Sequence, residues 1–127
     1  MLSGPPKRFV LIVEDDAQLC DLYRSVLVEA GFTVVAVGDG TDALRVLETR
    51  IPAAVVLDLA LPRVSGRDVA EELKASARTR HVPIVVVTGG DGTDIDDLDA
   101  ECVLRKPVSP ERLIEAVALC LRHRSAV

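Results

Sequence analysis

The 127-residue chain has little that would suit a secreted or disulfide-stabilised protein. It has no tryptophan and only 2% aromatic residues, and its three cysteines are odd in number and lack metal-ligand spacing. Because such cysteines are typical of reduced thiols, we expect packing or surface roles for Cys20, Cys102 and Cys120. His81 and His123 have no paired cysteine or acid at ligand spacing, so we expect surface histidines.

Long apolar runs are also lacking, which argues against a membrane span. Residues 1–8 contain no apolar segment of signal-peptide type, so we interpret them as a disordered extension of a cytoplasmic protein. The formal net charge is −5, and the basic residues are dispersed along the chain. Since binding to a phosphate backbone draws on clustered Lys and Arg, we expect no direct nucleic-acid partner and no membrane partner.

Five short apolar runs alternate with five amphipathic segments along the chain. This pattern is typical of a parallel sheet with helices on both faces, an α/β three-layer sandwich. We expect one domain over residues 9–124, followed by a tail at 125–127. The strands are predicted near residues 9–13, 33–37, 53–57, 84–88 and 102–104.

The amphipathic segments differ in the strength of their helical signals. Leu19, Leu22, Tyr23, Val26 and Leu27 recur at helical spacing in the first, with Gly31 as its C-terminal cap. The second and third helices are predicted over 41–49 and 66–76, and the fifth begins at Ser109 and Pro110. The fourth segment, 93–100, predicts only a short or irregular helix, and we expect mobility over about 89–101.

Polar side chains stand where the apolar runs end. Glu14 and Asp15 follow the first run, Asp58 ends the third, Thr88 ends the fourth and Lys106 follows the fifth. In an open α/β sheet, these strand ends meet along one edge, which favours the strand order 2-1-3-4-5. Clustered carboxylates suit Mg²⁺, which binds one or two of them together with water and phosphate. The arrangement therefore implies a phosphorylated Asp58.

With these residues in this order, the chain resembles the receiver domain of two-component response regulators over residues 9 to about 122. The resemblance is carried also by the sequence Leu57-Asp58-Leu59-Ala60-Leu61-Pro62, by Gly66 after it, and by Lys106-Pro107. It implies a flavodoxin-like fold. It also implies a signalling domain that accepts a phosphoryl group from a sensor histidine kinase or phosphotransfer protein, with an unknown downstream protein partner.

The resemblance implies a role for each site residue. Asp58 would be the phosphoacceptor, with Thr88 bonded to the phosphoryl group and Lys106 paired with it. Mg²⁺ or Mn²⁺ would be held by Asp15, Asp58, the backbone carbonyl of Ala60 and, through water, Glu14. The Lys106–Pro107 peptide bond would be cis.

Such a domain is not an enzyme in the usual sense, since it catalyses only its own phosphorylation and a slow dephosphorylation. Positioning and charge neutralisation supply most of the catalysis in phosphoryl transfer. We expect a persistent phosphoaspartate, because Ala60 and Gly90 offer neither a carboxylate nor an amide side chain to direct water.

Two departures from the receiver pattern leave an alternative open. The spacing from Thr88 to Lys106 is 18 positions, slightly short for the family, and Val103 stands where receivers carry a Tyr or Phe switch. The alternative is a receiver-like interaction module whose output does not depend on phosphorylation.

Two further hypotheses fit the residues less well. Residues 38–43 match the G-x-G-x-x-A dinucleotide fingerprint, but they follow the second predicted strand instead of the first. A phosphohydrolase that resembles the haloacid dehalogenase family would need a second aspartate at the position of Ala60.

Overall fold

A computed structural model describes residues 8–61, 64–89 and 98–125, with side chains to residue 122. This part of the chain forms five strands and four helices. The strands are β1 (Val10–Val13), β2 (Val34–Val37), β3 (Ala54–Asp58), β4 (Ile84–Thr88) and β5 (Cys102–Arg105). The helices are α1 (Ala17–Glu29), α2 (Gly40–Thr49), α3 (Gly66–Ala75) and α4 (Pro110–Ser125).

The five strands form one parallel sheet in the order β2-β1-β3-β4-β5, which confirms the predicted fold class and strand order. β1, β3 and β4 are buried along their whole length, whereas the edge strands β2 and β5 are partly exposed. Unbroken apolar runs are what a parallel strand covered on both faces requires. Such strands place the polar residues that follow them at a single edge of the sheet.

Alternate residues of each strand face two separate cores. One core joins the sheet to α2 and α3 through residues such as Ala43 and Leu73, and we call this side the α2/α3 face. The other joins it to α1 and α4 through residues such as Leu27 and Val117, and we call this side the α1/α4 face. The two helical layers enclose the sheet, so the three-layer sandwich is confirmed.

Local signals account for the helix ends. The Asp16 side chain accepts a hydrogen bond from the Leu19 amide at the start of α1, and Gly31 follows the helix with φ of +102°. Ser109 accepts from the Arg112 amide at the start of α4, which corresponds to the fifth predicted helix. The predicted fourth helix and its expected mobility fall mainly on residues 90–97, outside the described residues. The expected disorder of 1–8 likewise falls outside them, except for Arg8.

Within the described ranges, no helix combines the length and the apolar character needed to cross a membrane.

Candidate functional site

Strand register brings the predicted site residues to one edge of the sheet. Val13 pairs with Leu57, so Glu14, the residue that follows β1, lies beside Asp58. Asp58 itself pairs with Val87, next to Thr88 at the end of β4. The Lys106 amide donates to the Thr88 carbonyl over 2.9 Å, which joins the end of β5 to the same edge.

Strand alternation also decides which face these side chains occupy. Ile12, Val56 and Leu104 all contribute to the core on the α1/α4 face. Because successive side chains along a strand point to opposite faces, residues two positions further on share that face. Glu14, Asp58 and Lys106 are those residues.

A lysine and two buried carboxylates form the centre of the site. The Lys106 ammonium lies 3.0 Å from Oε1 of Glu14 and 3.4 Å from Oδ2 of Asp58. Glu14 is 1% exposed and Asp58 is 3% exposed, so water contributes little to the solvation of either carboxylate. The contact with Asp58 is a hydrogen bond, whereas the contact with Oε1 of Glu14 is an ion pair without hydrogen-bond alignment.

Burial and charge change the pKa of both partners of this ion pair. Burial raises the pKa of Glu14, and the neighbouring Asp58 adds to this, although Lys106 and the Asp16 amide act in the opposite direction. Burial would lower the pKa of Lys106, but its pairing with Glu14 and Asp58 outweighs burial and raises that pKa. The site therefore stabilises the charged lysine, whereas burial makes ionisation of Glu14 less favourable than it is in water.

Three acids at this edge are suited to a hard divalent cation. Carboxylate oxygens of Glu14, Asp15 and Asp58 all lie within 4.8 Å of one another, with Asp15 exposed and the other two buried. Lys106 contacts Glu14 and Asp58 of this group, so three acidic side chains share one ammonium. Oxygen donors with excess negative charge are what Mg²⁺ binds in proteins.

The loop after β3 holds the Asp58 carboxylate, and its backbone leaves no room for a side chain at position 66. The Ala60 amide donates to Oδ1 of Asp58 over 3.0 Å. Gly66, the first residue of α3, packs against the backbone of this loop: an added Cβ would overlap the Asp58 carbonyl oxygen and lie 2.6 Å from Cα of Leu59. The sequence indicated that Gly66 matters, but only the structure shows which backbone it approaches.

The other predicted site features also lie at this edge. Thr88 is 8% exposed, and the Lys106–Pro107 peptide bond is cis, as predicted. Val103 lies on β5 and is exposed. Gly90 lies outside the described residues.

Residues 38–43, which match the dinucleotide fingerprint, have a structural explanation. The Asp39 side chain caps α2 by accepting from the Asp42 amide over 2.8 Å. Gly40 gives room to Val64, whose Cβ would lie 2.8 Å from a Cβ built on the glycine. The cap at Asp39 and the close packing of Gly40 account for these two residues without a nucleotide, whereas a Cβ on Gly38 would meet nothing within 4 Å.

Comparison with known proteins agrees with this geometry. Residues 10–118 match the response regulator receiver domain. The chain belongs to this family. A receiver is a signalling domain and not a classical enzyme, and receivers are phosphorylated by histidine kinases or phosphotransfer proteins and bind Mg²⁺ at an acidic pocket.

Two relatives and one solved structure illustrate the similarity. The sensory transduction protein RegX3 of Mycolicibacterium smegmatis is 39% identical over 119 residues, which cover 90% of this chain and 50% of RegX3. The polar-differentiation response regulator DivK of Brucella ovis is 32% identical over 112 residues, 85% of this chain and 91% of DivK. A CheY-like receiver domain protein from Methanospirillum hungatei JF-1 has the same fold, with a TM-score of 0.87, 22% identity and coverage of 95% and 98%.

The receiver chain therefore spans about half the length of RegX3 but most of DivK.

Proposed function

We propose that this receiver accepts a phosphoryl group on Asp58 and signals through the resulting conformational change in a phosphorelay. The observation that carries the proposal is the contact of the Asp58 carboxylate with Lys106 beside Glu14 and Asp15. The donor would be the phosphohistidine of a sensor histidine kinase or of a phosphotransfer protein. The receiver unit would span residues 9–124 of a cytoplasmic protein.

The chain's own residues would position the reacting groups. The Ala60 amide fixes one oxygen of Asp58, and the other carboxylate oxygen would attack phosphorus as the histidine nitrogen leaves. Lys106 would neutralise charge on the incoming phosphoryl group, and Thr88 would donate a hydrogen bond to it. The burial of Asp58 keeps bulk water away, which strengthens these electrostatic interactions.

Mg²⁺ or Mn²⁺ would be held by Asp15, Asp58 and the backbone carbonyl of Ala60, with Glu14 acting through water. When bound, such an ion offsets the repulsion between the carboxylates and the phosphoryl oxygens. This donor set suits the ion because it consists of oxygens and carries excess negative charge. The receiver would thus catalyse its own phosphorylation, and also a slow dephosphorylation.

Intact-protein mass spectrometry after incubation with acetyl phosphate tests the proposal. We expect one added phosphoryl group in the presence of Mg²⁺ and none in excess chelator. Asp58→Asn should take up none, whereas Asp68→Asn should behave as wild type because Asp68 lies in the capping box of α3. Undiminished labelling of Asp58→Asn would refute the assignment.

A second candidate is a receiver-like module whose partner binding does not depend on phosphorylation. The observation that favours it is Val103, which is 38% exposed on the edge strand β5 and is not the aromatic residue usual in receivers. Equal affinity of phosphorylated and unphosphorylated protein for an identified partner would support this candidate.

A further inference from the structure

Among the described residues, Tyr23 is the one that brings a hydroxyl into the core on the α1/α4 face. It lies on α1, is 3% exposed and packs among residues such as Ile12, Val56 and Leu104. A buried hydroxyl without a hydrogen bond is costly, and most native structures avoid it. Tyr23 therefore needs an explanation beyond packing.

Two buried side-chain polar atoms have no hydrogen-bond partner within the described residues, and both belong to this face. They are the hydroxyl of Tyr23 and Oε1 of Glu14. One is a donor and the other is a carboxylate acceptor, so each could satisfy the other. The charges of Lys106, Glu14, Asp58 and Asp16 act on the Tyr23 hydroxyl, in addition to the burial that raises its pKa. The buried hydroxyl therefore lies within electrostatic reach of the charged groups of the site.

Phosphorylation of Asp58 would draw Lys106 away from its ion pair with Glu14. Lys106 lies 3.0 Å from Oε1 of Glu14 and can also reach Asp58. A phosphoryl group on Asp58 adds negative charge there, which draws the ammonium toward it. Oε1 of Glu14 is then left as a buried, charged acceptor that cannot turn to bulk water.

We propose that Tyr23 is a positioning residue: its hydroxyl donates a hydrogen bond to Oε1 of Glu14 when Lys106 leaves that oxygen for the phosphoryl group on Asp58. This inference rests on the function proposed above. Tyr23 then holds Glu14 in place while Lys106 moves, and it links the chemistry of the site to α1.

Tyrosine emission gives a direct readout in the unmodified protein. Tyr23 is the only tyrosine and the chain has no tryptophan, so the emission reports on this side chain. A phenol hydroxyl that donates to a carboxylate is quenched in the excited state. We expect emission to fall in step with phosphoryl uptake from acetyl phosphate and Mg²⁺, as followed by intact mass.

Tyr23→Phe tests the hydroxyl while it keeps the aromatic ring. Because the hydroxyl is unpartnered before phosphorylation, the metal-free variant should be at least as stable as wild type. The Mg²⁺ concentration for half-maximal phosphorylation should nevertheless rise about tenfold, since a hydrogen bond to a charged group is lost in the loaded state.

Val117→Ala is the matched control. Val117 is fully buried in the same core and has no polar atom in its side chain, so this variant should lose stability and keep the Mg²⁺ requirement of wild type.

The outcomes separate this inference from the proposed function. If the wild type takes up no phosphoryl group, both are overturned. If it does so with unchanged tyrosine emission, or if Tyr23→Phe shifts the Mg²⁺ requirement no more than Val117→Ala does, the role of Tyr23 alone is overturned. A fall in emission together with a specific shift in Tyr23→Phe supports it.

Discussion

The ammonium of Lys106 lies 3.0 Å from Oε1 of Glu14, a carboxylate that is almost wholly buried. Lys106 thus contacts two of the three acids, Glu14 and Asp58, that are suited to hold a divalent cation. The same positive charge therefore has two uses: it stabilises the buried acids before metal binding, and it is available to a phosphoryl group afterwards.

We expect Lys106→Gln to separate these two uses. Removal of the ammonium leaves the buried carboxylates of Glu14 and Asp58 without their positive partner, so the metal-free variant should lose about 2 kcal/mol in unfolding free energy. The same change removes a cation that repels Mg²⁺, so Mg²⁺ should bind roughly tenfold more tightly by titration calorimetry. Phosphoryl uptake should nevertheless slow.

Lys74→Gln is the control for that substitution, because Lys74 lies away from the site and contacts the exposed Asp99. It should leave Mg²⁺ affinity unchanged. Weaker Mg²⁺ binding by Lys106→Gln would contradict the view that lysine and metal compete.

Gly66→Ala should disturb the loop that carries Asp58. The added Cβ would overlap backbone atoms, which cannot move aside as a flexible side chain can. We expect a loss of about 2 kcal/mol in chemical denaturation. Gly38→Ala, where a Cβ meets nothing within 4 Å, should change stability by less than about 0.5 kcal/mol. Equal stability of the two variants would contradict this prediction, because it would show that the loop backbone can move to accommodate the added methyl group.

Cys120 should make stability depend on alkaline pH. Burial raises the pKa of this thiol from 9.0 to about 12. Above pH 9 the unfolded chain loses a proton that the folded chain keeps, so stability falls as pH rises toward 12, by at most about 1.4 kcal/mol per unit. The stability advantage of wild type over Cys120→Ala should therefore shrink from about pH 8 to about pH 11. A difference that does not vary with pH would argue against this shift.

The phosphoaspartate should persist for minutes or longer without a phosphatase. Ala60 is exposed two positions beyond Asp58, and its methyl group cannot orient or deprotonate water. We expect Ala60→Asp to shorten the lifetime about tenfold or more in a mass-spectrometric time course, and Ala60→Ser to change it little. Loss of the wild-type phosphoryl group within seconds would be inconsistent with this reasoning.

Much of the fold was predictable because apolar runs mark buried parallel strands. Four of the five runs end at, or are followed directly by, a polar residue, and the requirement that Glu14 and Asp15 meet Asp58 favoured the strand order that the structure has. Asp16, the residue after the two site acids of the first run, caps α1.

The details of the site were less accessible to sequence reasoning. Tyr23 falls in the apolar stripe of α1, so its spacing indicates only a core position, and whether its hydroxyl finds a partner depends on three-dimensional packing. Likewise, a glycine at position 66 is visible in the sequence, but the backbone it approaches is not.

Strand alternation has a consequence for insertions and deletions. Side chains along β1 alternate between the two faces of the sheet. Val10 and Ile12 point to the α1/α4 face, so Glu14, two positions after Ile12, points there too. A single-residue deletion within β1 would turn Glu14 to the opposite face and bury apolar residues on the wrong sides. Such a deletion should eliminate the acidic cluster. The loop at residues 50–53 lies at the opposite ends of the strands, so a change in its length should not alter which acids meet.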